Sequence, residues 1–396
     1  MSSMFSRKRL AIVAAAVIII ALLGYFIVWP AVPKGTVKIG HLLPISGALS
    51  PYSEGFLNGV RLAVSQVNDK GGLSGWKFEL VEEDDGTDAT KAAEATHKLI
   101  DIDGVKVIVG SYASSCTLAA APICNQNKVV LISPASTSPA VTSAGDYIFR
   151  VVPSDELQGI AMAQLALKKG YKTAGIIVLN NQYGIGLEQV FKRVFEQGGG
   201  SVLVSVRYEL GAASYKTELG RIKAANPDVV IDVSYADDGA VVFKQAKELG
   251  MTSQWICAEG VADEAIFNIP GVGDSMLGMM GTKPTSPTGS AENKAFVDAY
   301  KAKFGKDPGI YSDYAYDAAM IGMNAVARAG RYDGEAIKNA MSDVGKNYAG
   351  ASGTKTFDTN GDVVGEYIIW QVKLVETSYK MVQIGTWSSS VGVTLS

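Results

Sequence analysis

Cysteine and histidine are scarce in this chain, which has three cysteines and two histidines among 396 residues. His41 and His97 lie far apart and lack the HxxxH or CxxC spacing of zinc sites, so we expect no structural metal centre. An odd number of cysteines leaves at least one thiol free or bonded between molecules. If Cys116 and Cys124 share a helix, they lie about 12 Å apart, which is too far for a disulfide. The sequence leaves the state of Cys257 open.

The chain also lacks an excess of charge of either sign. Its 36 basic and 39 acidic residues are interspersed and give a formal net charge of −3. Without a basic stripe, nucleic acid is not an expected partner. Neither histidine adjoins a nucleophile motif, and no GxSxG or glycine-rich phosphate loop follows a predicted strand. We therefore predict a protein that is not an enzyme and that uses no cofactor.

One long apolar run is present, at residues 10–29, directly after a basic triplet. A membrane-spanning helix needs about 20 apolar residues, whereas the apolar core of a signal peptide has about 7 to 15. Residues 1–33 are therefore predicted to form a cytoplasmic tip and an uncleaved membrane anchor, with Tyr25 and Trp29 as interfacial residues. The alternative is a signal peptide cut near Ala31. Both interpretations place the rest of the chain outside the cytoplasm.

The remaining residues, about 360, exceed what one hydrophobic core usually serves, so two lobes are expected. Apolar runs of strand type alternate with amphipathic helical segments, which is typical of doubly wound parallel sheets. The first set of predicted strands comprises residues 37–43, 78–82, 105–110 and 129–133. The second set comprises residues 173–179, 201–208 and 229–233. Helices are predicted between them and, further on, at 291–304 and 314–329, and a last strand is predicted at 366–372.

Two loops that follow predicted strands are rich in small hydroxyl side chains. Ser114 and Ser115 follow the strand at 105–110, and Ser136 and Thr137 follow the next one. At the carboxyl edge of a parallel sheet, hydroxyls and free backbone N–H groups suit a small anion such as a carboxylate. The alternative is that these hydroxyls only cap helices.

A cluster of acids at 84–88 suggests a metal site at first sight. Its spacing lacks the later glutamate of an EF-hand loop, and Asp88 is placed to cap a helix that begins at Ala89. We therefore predict no metal site here.

Six short motifs carry a likeness to a known family. They lie at residues 39–47 with 58–59, at 68–75, 84–85, 132–139, 182–184 and 258–261. From about residue 36 to its end, the chain resembles the leucine/isoleucine/valine-binding proteins, type I periplasmic binding proteins that deliver amino acids to ABC importers.

The resemblance implies two doubly wound parallel-sheet lobes joined by a three-segment hinge. Breaks in the sequence pattern place the hinge at Pro153, at 282–284 and at Glu366. The predicted lobes are as follows: residues 36–153 plus 283–365 form the first, and 154–282 plus 366–396 form the second.

The resemblance also assigns ligand contacts. The α-carboxylate of an amino acid is held by Ser114, the backbone of Ala135 and Thr137, and the α-ammonium is held by Glu259. A buried ammonium needs a carboxylate to offset the loss of water, which suits Glu259 after the apolar strand before it. Without the resemblance, Glu259 is equally well a surface acid near a turn.

Aromatic residues complete the implied site. Tyr183 and Tyr235 match positions on the second lobe, and Tyr52 matches a residue of the first lobe that covers the ligand. Tyr183 can alternatively pack against the start of its helix. Tyr112 and Tyr311 are candidates for the pocket of the ligand side chain, which they would narrow or make more polar.

We therefore predict the extracytoplasmic substrate-binding component of an ABC importer. It binds a free amino acid, expected to be branched-chain, in the cleft between its lobes and delivers it to permease subunits. One alternative is the ligand-binding subunit of a membrane sensor, which needs a partner because only residues 1–9 are cytoplasmic. Another is the same receptor fold with an amide or urea-like ligand. The resemblance departs from the family at Ala113 and 86–87, where a first-lobe disulfide is absent.

Overall fold

A computed structural model describes residues 34–396 of the chain. The predicted cytoplasmic tip and anchor at residues 1–33 lie outside the described residues. Within 34–396, the helices are too short or too polar to cross a lipid bilayer.

Strands and helices alternate regularly in the first part of the described chain. In chain order, the elements are β1 (Gly35–Leu43), α1 (Ser50–Asp69), β2 (Trp76–Asp84), α2 (Ala89–His97), β3 (Val107–Val109), α3 (Ser114–Gln126), β4 (Val130–Ser133), β5 (Ile148–Arg150) and α4 (Asp155–Lys168).

The same alternation continues through the middle of the chain. These elements are β6 (Thr173–Leu179), α5 (Gln182–Gln197), β7 (Ser201–Tyr208), α6 (Lys216–Ala225), β8 (Val229–Val233), α7 (Ala236–Glu248), β9 (Gln254–Cys257), α8 (Val272–Met276) and β10 (Met280–Pro284).

Helices and then antiparallel strands complete the chain. The last elements are α9 (Ala291–Phe304), α10 (Ser312–Ala329), α11 (Gly334–Val344), β11 (Tyr348–Gly350), β12 (Gly353–Lys355), β13 (Tyr367–Val375), β14 (Ser378–Ser388) and β15 (Gly392–Leu395).

Two large sheets organise these elements. The first has the strand order β2-β1-β3-β4-β5, and all of its strand pairs are parallel. The second has the order β15-β14-β13-β10-β9-β8-β6-β7. Its strands β6 to β10 pair in parallel, as predicted. Strands β13, β14 and β15 add an antiparallel extension to the parallel part of this sheet.

The first strand of this extension, β13, corresponds to the strand predicted at 366–372, but the hairpin that follows it has no local sequence signal. The hairpin between β13 and β14 turns over Glu376 and Thr377, without the glycine or asparagine that usually marks a two-residue turn. Glu376 has a φ of 55°, in the left-handed region that glycine adopts most easily.

Helix ends follow the capping signals in the sequence. The predicted helix at 291–304 is confirmed as α9, because Ser290 accepts a hydrogen bond from the Asn293 N–H and Gly305 ends the helix at a φ of 72°. Asp88 caps α2 as predicted and accepts from the Lys91 N–H at 2.9 Å.

The chain passes between the two sheets three times. It does so between β5 and α4, between β10 and α9, and between β12 and β13. Helix α10 packs against α1 and β3, so the returning helices cover the first sheet. The three crossings lie near the predicted hinge segments, although 282–284 belongs to β10. The proposed lobe boundaries remain a prediction.

The cysteines are buried inside this fold. Cys116 and Cys124 both lie on α3, as the sequence analysis assumed, and all three thiols of the described chain are free. Burial raises the pKa of the Cys124 thiol to about 12, which keeps it protonated and unreactive.

Candidate ligand-binding cleft

A small cavity lies between the two sheets, at the carboxyl ends of their parallel strands. Its volume is about 30 Å³. Six of the predicted site residues line it: Tyr52, Ser114, Ala135, Tyr183, Tyr235 and Glu259. The other lining residues are Leu49, Phe56, Tyr112, Gly260, Ile310 and Tyr311. This position is where open α/β sheets generally bind ligands.

The hydroxyls at the start of α3 do not cap that helix. Its N-cap position is Ala113, which makes no side-chain capping bond. Ser114 Oγ instead accepts from the Ser138 N–H at 3.2 Å, which leaves its own proton free to be donated into the cavity. Ser115 Oγ accepts from the Gln182 N–H at 3.2 Å, across the cleft. The anion-binding interpretation therefore fits Ser114 better than the capping alternative.

In the loop after β4, some hydroxyls are used in hydrogen bonds within the protein and one is not. Thr117 and Ser136 form a hydrogen bond of 2.7 Å, and the Ser133 hydroxyl donates to the Ser111 carbonyl at 2.6 Å. Thr137 differs from them, because its Oγ1 is buried and has no hydrogen-bond partner among residues 34–396. Unlike the other predicted contacts, it is not among the residues that line the cavity.

Arg150 anchors this second loop through hydrogen bonds to its backbone carbonyls. Its side chain is fully buried, and Nη1 donates to the carbonyls of Thr137 and Ser138, both at 2.9 Å. Nε and Nη2 donate hydrogen bonds to the two oxygens of the Asp362 carboxylate, at 2.6 and 2.8 Å. These bonds fix the backbone of the loop that carries Thr137.

Glu259 enters the cavity from the second sheet. It opens a short 3₁₀ turn just after β9 and is only 4% exposed. Burial raises the pKa of its carboxyl group, an effect that the Tyr183 hydroxyl and Gln158 partly offset. Its Oε2 has no hydrogen-bond partner within the described chain. The surface-acid alternative for Glu259 is therefore wrong.

A second buried carboxylate, Asp155, lies close to Glu259. It is fully buried at the start of α4, and neither of its oxygens has a hydrogen-bond partner within residues 34–396. Its backbone N–H donates to the Thr137 carbonyl at 2.7 Å. Burial raises the pKa of Asp155 well above its usual value, and the charge of Glu259 raises it further. The charge of Arg150 lowers the pKa of Asp155 only in part, so two adjacent buried carboxylates remain costly.

Aromatic side chains form most of the cavity wall. The rings of Tyr183 and Tyr235 are parallel, with centroids 5.7 Å apart, and Phe56 stacks on Tyr112 at 4.0 Å. The hydroxyl of Tyr311 is buried and has no partner in the described part of the chain. Tyr183 thus faces the cavity, which supports its predicted role over simple packing against the helix start.

The cleft is closed in this structure. The Tyr52 hydroxyl donates to the Gly260 carbonyl at 2.9 Å, and the Ile310 N–H donates to the Asp263 carboxylate at 3.1 Å. On its own side of the cleft, Gly260 packs against Ser234 too closely for a side chain, because a Cβ there would lie 2.3 Å from the Ser234 carbonyl oxygen. Both contacts join residues on opposite sides of the cavity, so they stabilise the closed form.

The acidic cluster has a structural role. Asp84 accepts from the Ser46 and Gly86 N–H groups, and Asp85 accepts from the Ser111 hydroxyl at 2.5 Å. Among residues 34–396, no group of three or more potential ligand side chains is arranged to hold a metal ion.

Sequence reasoning missed Arg150 and Asp155 as site residues. Ser154 caps α4 and accepts from the Glu156 N–H, and Asp155 is the first residue of the helix. One sequence signal was available for Asp155. It directly follows Ser154, a residue that commonly caps helices, so the acid itself is not needed for capping. Arg150 gave a weaker signal, a lone arginine at the end of an apolar run.

Comparisons with known proteins identify the family to which this chain belongs. Residues 36–378 match the model of the periplasmic binding protein family. The chain is 31% identical over 331 residues to the leucine-, isoleucine-, valine-, threonine- and alanine-binding protein of Pseudomonas aeruginosa, which covers 83% of this chain and 87% of that protein.

Solved structures give the same result. The leucine-binding protein LivK of Thermotoga maritima has a TM-score of 0.81 and 32% identity, covering 89% of this chain and 99% of that one. A solute-binding protein of an ABC transporter from Rhodopseudomonas palustris, in complex with 3,4-dihydroxybenzoic acid, has a TM-score of 0.79 and 26% identity, covering 89% and 98%. The chain therefore belongs to the periplasmic binding protein family that includes the Leu/Ile/Val-binding proteins, which bind substrates and are not enzymes.

Proposed function

We propose that this protein binds a free α-amino acid in the cleft and delivers it to the permease of an ABC importer. The observation that carries the proposal is the pair of buried carboxylates, Asp155 and Glu259. Both oxygens of Asp155 and the Oε2 of Glu259 lack hydrogen-bond partners within residues 34–396. A ligand ammonium supplies the positive charge that this end of the cleft lacks.

The opposite end of the ligand is an anion in this proposal. The Ser114 hydroxyl, the Ala135 backbone N–H and the Thr137 hydroxyl are its donors, and the N-terminus of the 13-residue helix α3 adds a favourable dipole. The Ala135 N–H makes only a long contact of 3.4 Å with Ser133 Oγ, so it is available to a ligand. Donors at one end and carboxylates at the other match a zwitterion.

An aromatic carboxylate is the strongest competing ligand, because one solved relative holds such an acid and aromatic rings dominate this cavity. A benzoate-like ligand has no cation, so it leaves Asp155 and Glu259 unpaired. Leaving a buried charge without its partner costs about 2–5 kcal/mol. The amino-acid proposal is therefore favoured.

Binding follows from the geometry of closure. The ligand enters the open cleft, its carboxylate meets the first side, and its ammonium draws the second side inward. Contacts such as Tyr52 with Gly260 then form across the cleft. The ligand shifts the equilibrium towards the closed form because its two charges are satisfied only when both sides meet.

The test compares three ligands that differ by one charged group each: valine, 3-methylbutanoate without the ammonium, and 2-methylpropylamine without the carboxylate. Isothermal titration with the purified full chain in mild detergent is expected to show binding of valine. Each fragment is expected to bind at least about 30-fold more weakly. Binding of 3-methylbutanoate or benzoate as tightly as valine contradicts the ammonium site.

Delivery to a permease needs a cellular test. Deleting the gene is expected to abolish high-affinity uptake of the bound amino acid. Unchanged uptake with a lost behavioural response instead favours the sensor function. Anchoring through residues 10–29 is part of the same proposal, and membrane fractionation of cells producing the protein with and without residues 1–33 tests it.

A further inference from the structure

One buried glutamine connects helix α4 to strand β10. The Gln158 side chain is fully buried, and its Nε2 donates to the Thr282 hydroxyl at 3.0 Å and to the Thr282 carbonyl at 3.4 Å. Because a carbonyl can only accept, the amide nitrogen of Gln158 faces β10. Helix α4 follows the first chain crossing and β10 precedes the second, so this contact ties two of the three crossings together.

The third crossing is joined to the first by another buried hydrogen bond. The hydroxyl of Tyr367, at the start of β13, donates to the Ser154 carbonyl at 3.2 Å, and the tyrosine is fully buried. Tyr367 also pairs with Pro284 of β10 in the second sheet. Water cannot replace these contacts while they stay buried, so the three crossings form one connected unit.

Gln158 also lies next to the two carboxylates of the cleft. Asp155 is three residues earlier on α4, so the two side chains share one face of the helix. Strand β10 pairs with β9, which ends just before the turn at Glu259, so Thr282 lies beside that turn. Burial raises the pKa of Glu259, and hydrogen bonding by Gln158 offsets part of this effect. The two N–H groups of one amide therefore serve Thr282 and Glu259.

We propose that Gln158 is a positioning residue for ligand binding, because it holds the Glu259 carboxylate in place for the ammonium and ties it to β10. This inference rests on the proposed amino-acid function and adds a residue that is not among those that line the cavity. The Oε2 atom of Glu259 has no hydrogen-bond partner within residues 34–396, so it is available to the ligand. A ligand contact is precise only when a neighbouring group fixes the side chain that makes it.

A neutral donor suits this position better than a cation. An amide N–H orients a carboxylate oxygen without cancelling its charge. A lysine or arginine would form a charge-assisted pair with Glu259 and compete with the ligand ammonium. With Gln158 as its neighbour, Glu259 keeps its charge for the ligand.

The test is a double-mutant cycle between Gln158→Met and Glu259→Gln, measured by titration calorimetry with the purified full chain. The probe is whichever of alanine, valine, leucine and phenylalanine the unmodified protein binds most tightly. Methionine nearly keeps the shape of glutamine and has no N–H, so Gln158→Met is expected to weaken binding by at least about 10-fold. In the Glu259→Gln background, the same change is expected to have an effect of less than about 2-fold. A merely structural residue lowers affinity by the same factor in both backgrounds.

Thr282→Val tests the other bond of the amide and decides the question if Gln158→Met does not fold. It removes the Thr282 hydroxyl and keeps the side-chain shape. Binding is expected to weaken by about 3-fold, and again only while Glu259 is present.

Gln164→Met is the matched control. Gln164 lies on the same helix, accepts from the Trp387 Nε1–H at 2.8 Å and is not among the residues that line the cavity. Its replacement is expected to leave ligand affinity unchanged. Circular dichroism verifies that each variant is folded.

The outcomes separate this inference from the proposed function. Unchanged affinity in the folded Gln158→Met variant, or an equal loss in both backgrounds, overturns the positioning role while amino-acid binding stands. If only Thr282→Val folds, the same two results for that variant overturn it. Binding of none of the four amino acids by the unmodified protein overturns the proposed function, and the positioning role falls with it.

Discussion

Tyr52 and Gly260 join the two sides of the ligand cleft through a hydrogen bond of 2.9 Å from the tyrosine hydroxyl to the glycine carbonyl. Tyr52 lies on α1 beside the first sheet, and Gly260 follows β9 of the second. The bond can exist only when the cleft is closed, so it reports directly on closure.

Tyr52→Phe is expected to weaken ligand binding by about 2- to 10-fold, since one hydrogen bond contributes about 0.5–1.5 kcal/mol. The loss should appear mainly as faster dissociation, which stopped-flow fluorescence measures. Tyr316→Phe is the control, because the Tyr316 hydroxyl bonds Gln66 on the same side of the cleft. An unchanged dissociation rate in Tyr52→Phe contradicts a role in closure.

Glu259→Gln is expected to reduce amino-acid affinity by at least about 30-fold, because it removes one charge of a buried ion pair. The amide has nearly the same shape, so the fold is retained. Isothermal titration measures the loss, and circular dichroism verifies folding. Equal affinity in the folded variant rules out the ammonium contact.

Asp155→Asn, compared with Glu259→Gln, distinguishes the contributions of the two carboxylates to ligand binding. If both neutralise the ammonium, each single variant weakens binding, and the double variant loses less than the sum of the two changes because the residues share one partner. A double-mutant cycle with titration calorimetry measures this coupling. Strict additivity indicates that Asp155 acts independently of the ligand charge.

The pH dependence follows from the raised pKa values of Asp155 and Glu259. An acid whose pKa is higher in the folded state holds an extra proton there, so the free energy of unfolding falls as pH rises above its ordinary pKa. We expect the ligand-free protein to lose stability from about pH 5 to about pH 8. Ligand affinity should rise over the same range, because the ammonium needs ionised carboxylates.

Urea unfolding across that range tests the stability part of this prediction. Asp85 and Asp232 have raised pKa values as well, near 6 and 7, so the wild-type slope includes their contributions. The difference between wild type and Glu259→Gln isolates the site, and the variant should show the flatter curve. A variant curve as steep as that of the wild type contradicts the prediction.

Arg150→Lys is expected to lower the free energy of unfolding by about 3 kcal/mol, because lysine cannot replace both the Asp362 pair and the bonds to the loop carbonyls. The loop that carries Thr137 should then loosen, and ligand affinity should fall with it. Arg328→Lys, at an exposed ion pair with Asp343, is the control and should be nearly neutral. Unchanged stability in Arg150→Lys contradicts its role in the loop.

Sequence reasoning succeeded where local signals and tertiary structure agree. Helix α9 begins after a capping serine and ends at a glycine, so its bounds were readable from the chain alone. Strand β4 is a short apolar run between loops. By contrast, the β13–β14 hairpin turns at a non-glycine residue, Glu376, and no local signal announced it.

The amino-acid sequence by itself determined the alternation of strands and helices, the loops at the strand ends and the family, because these depend on neighbouring residues and short motifs. Only the tertiary structure decided that Asp155 and Glu259 share one buried site and that His41 holds Tyr112 against Phe56. These contacts join residues far apart in the chain, and burial, which changes their electrostatics, arises only when the two sheets come together.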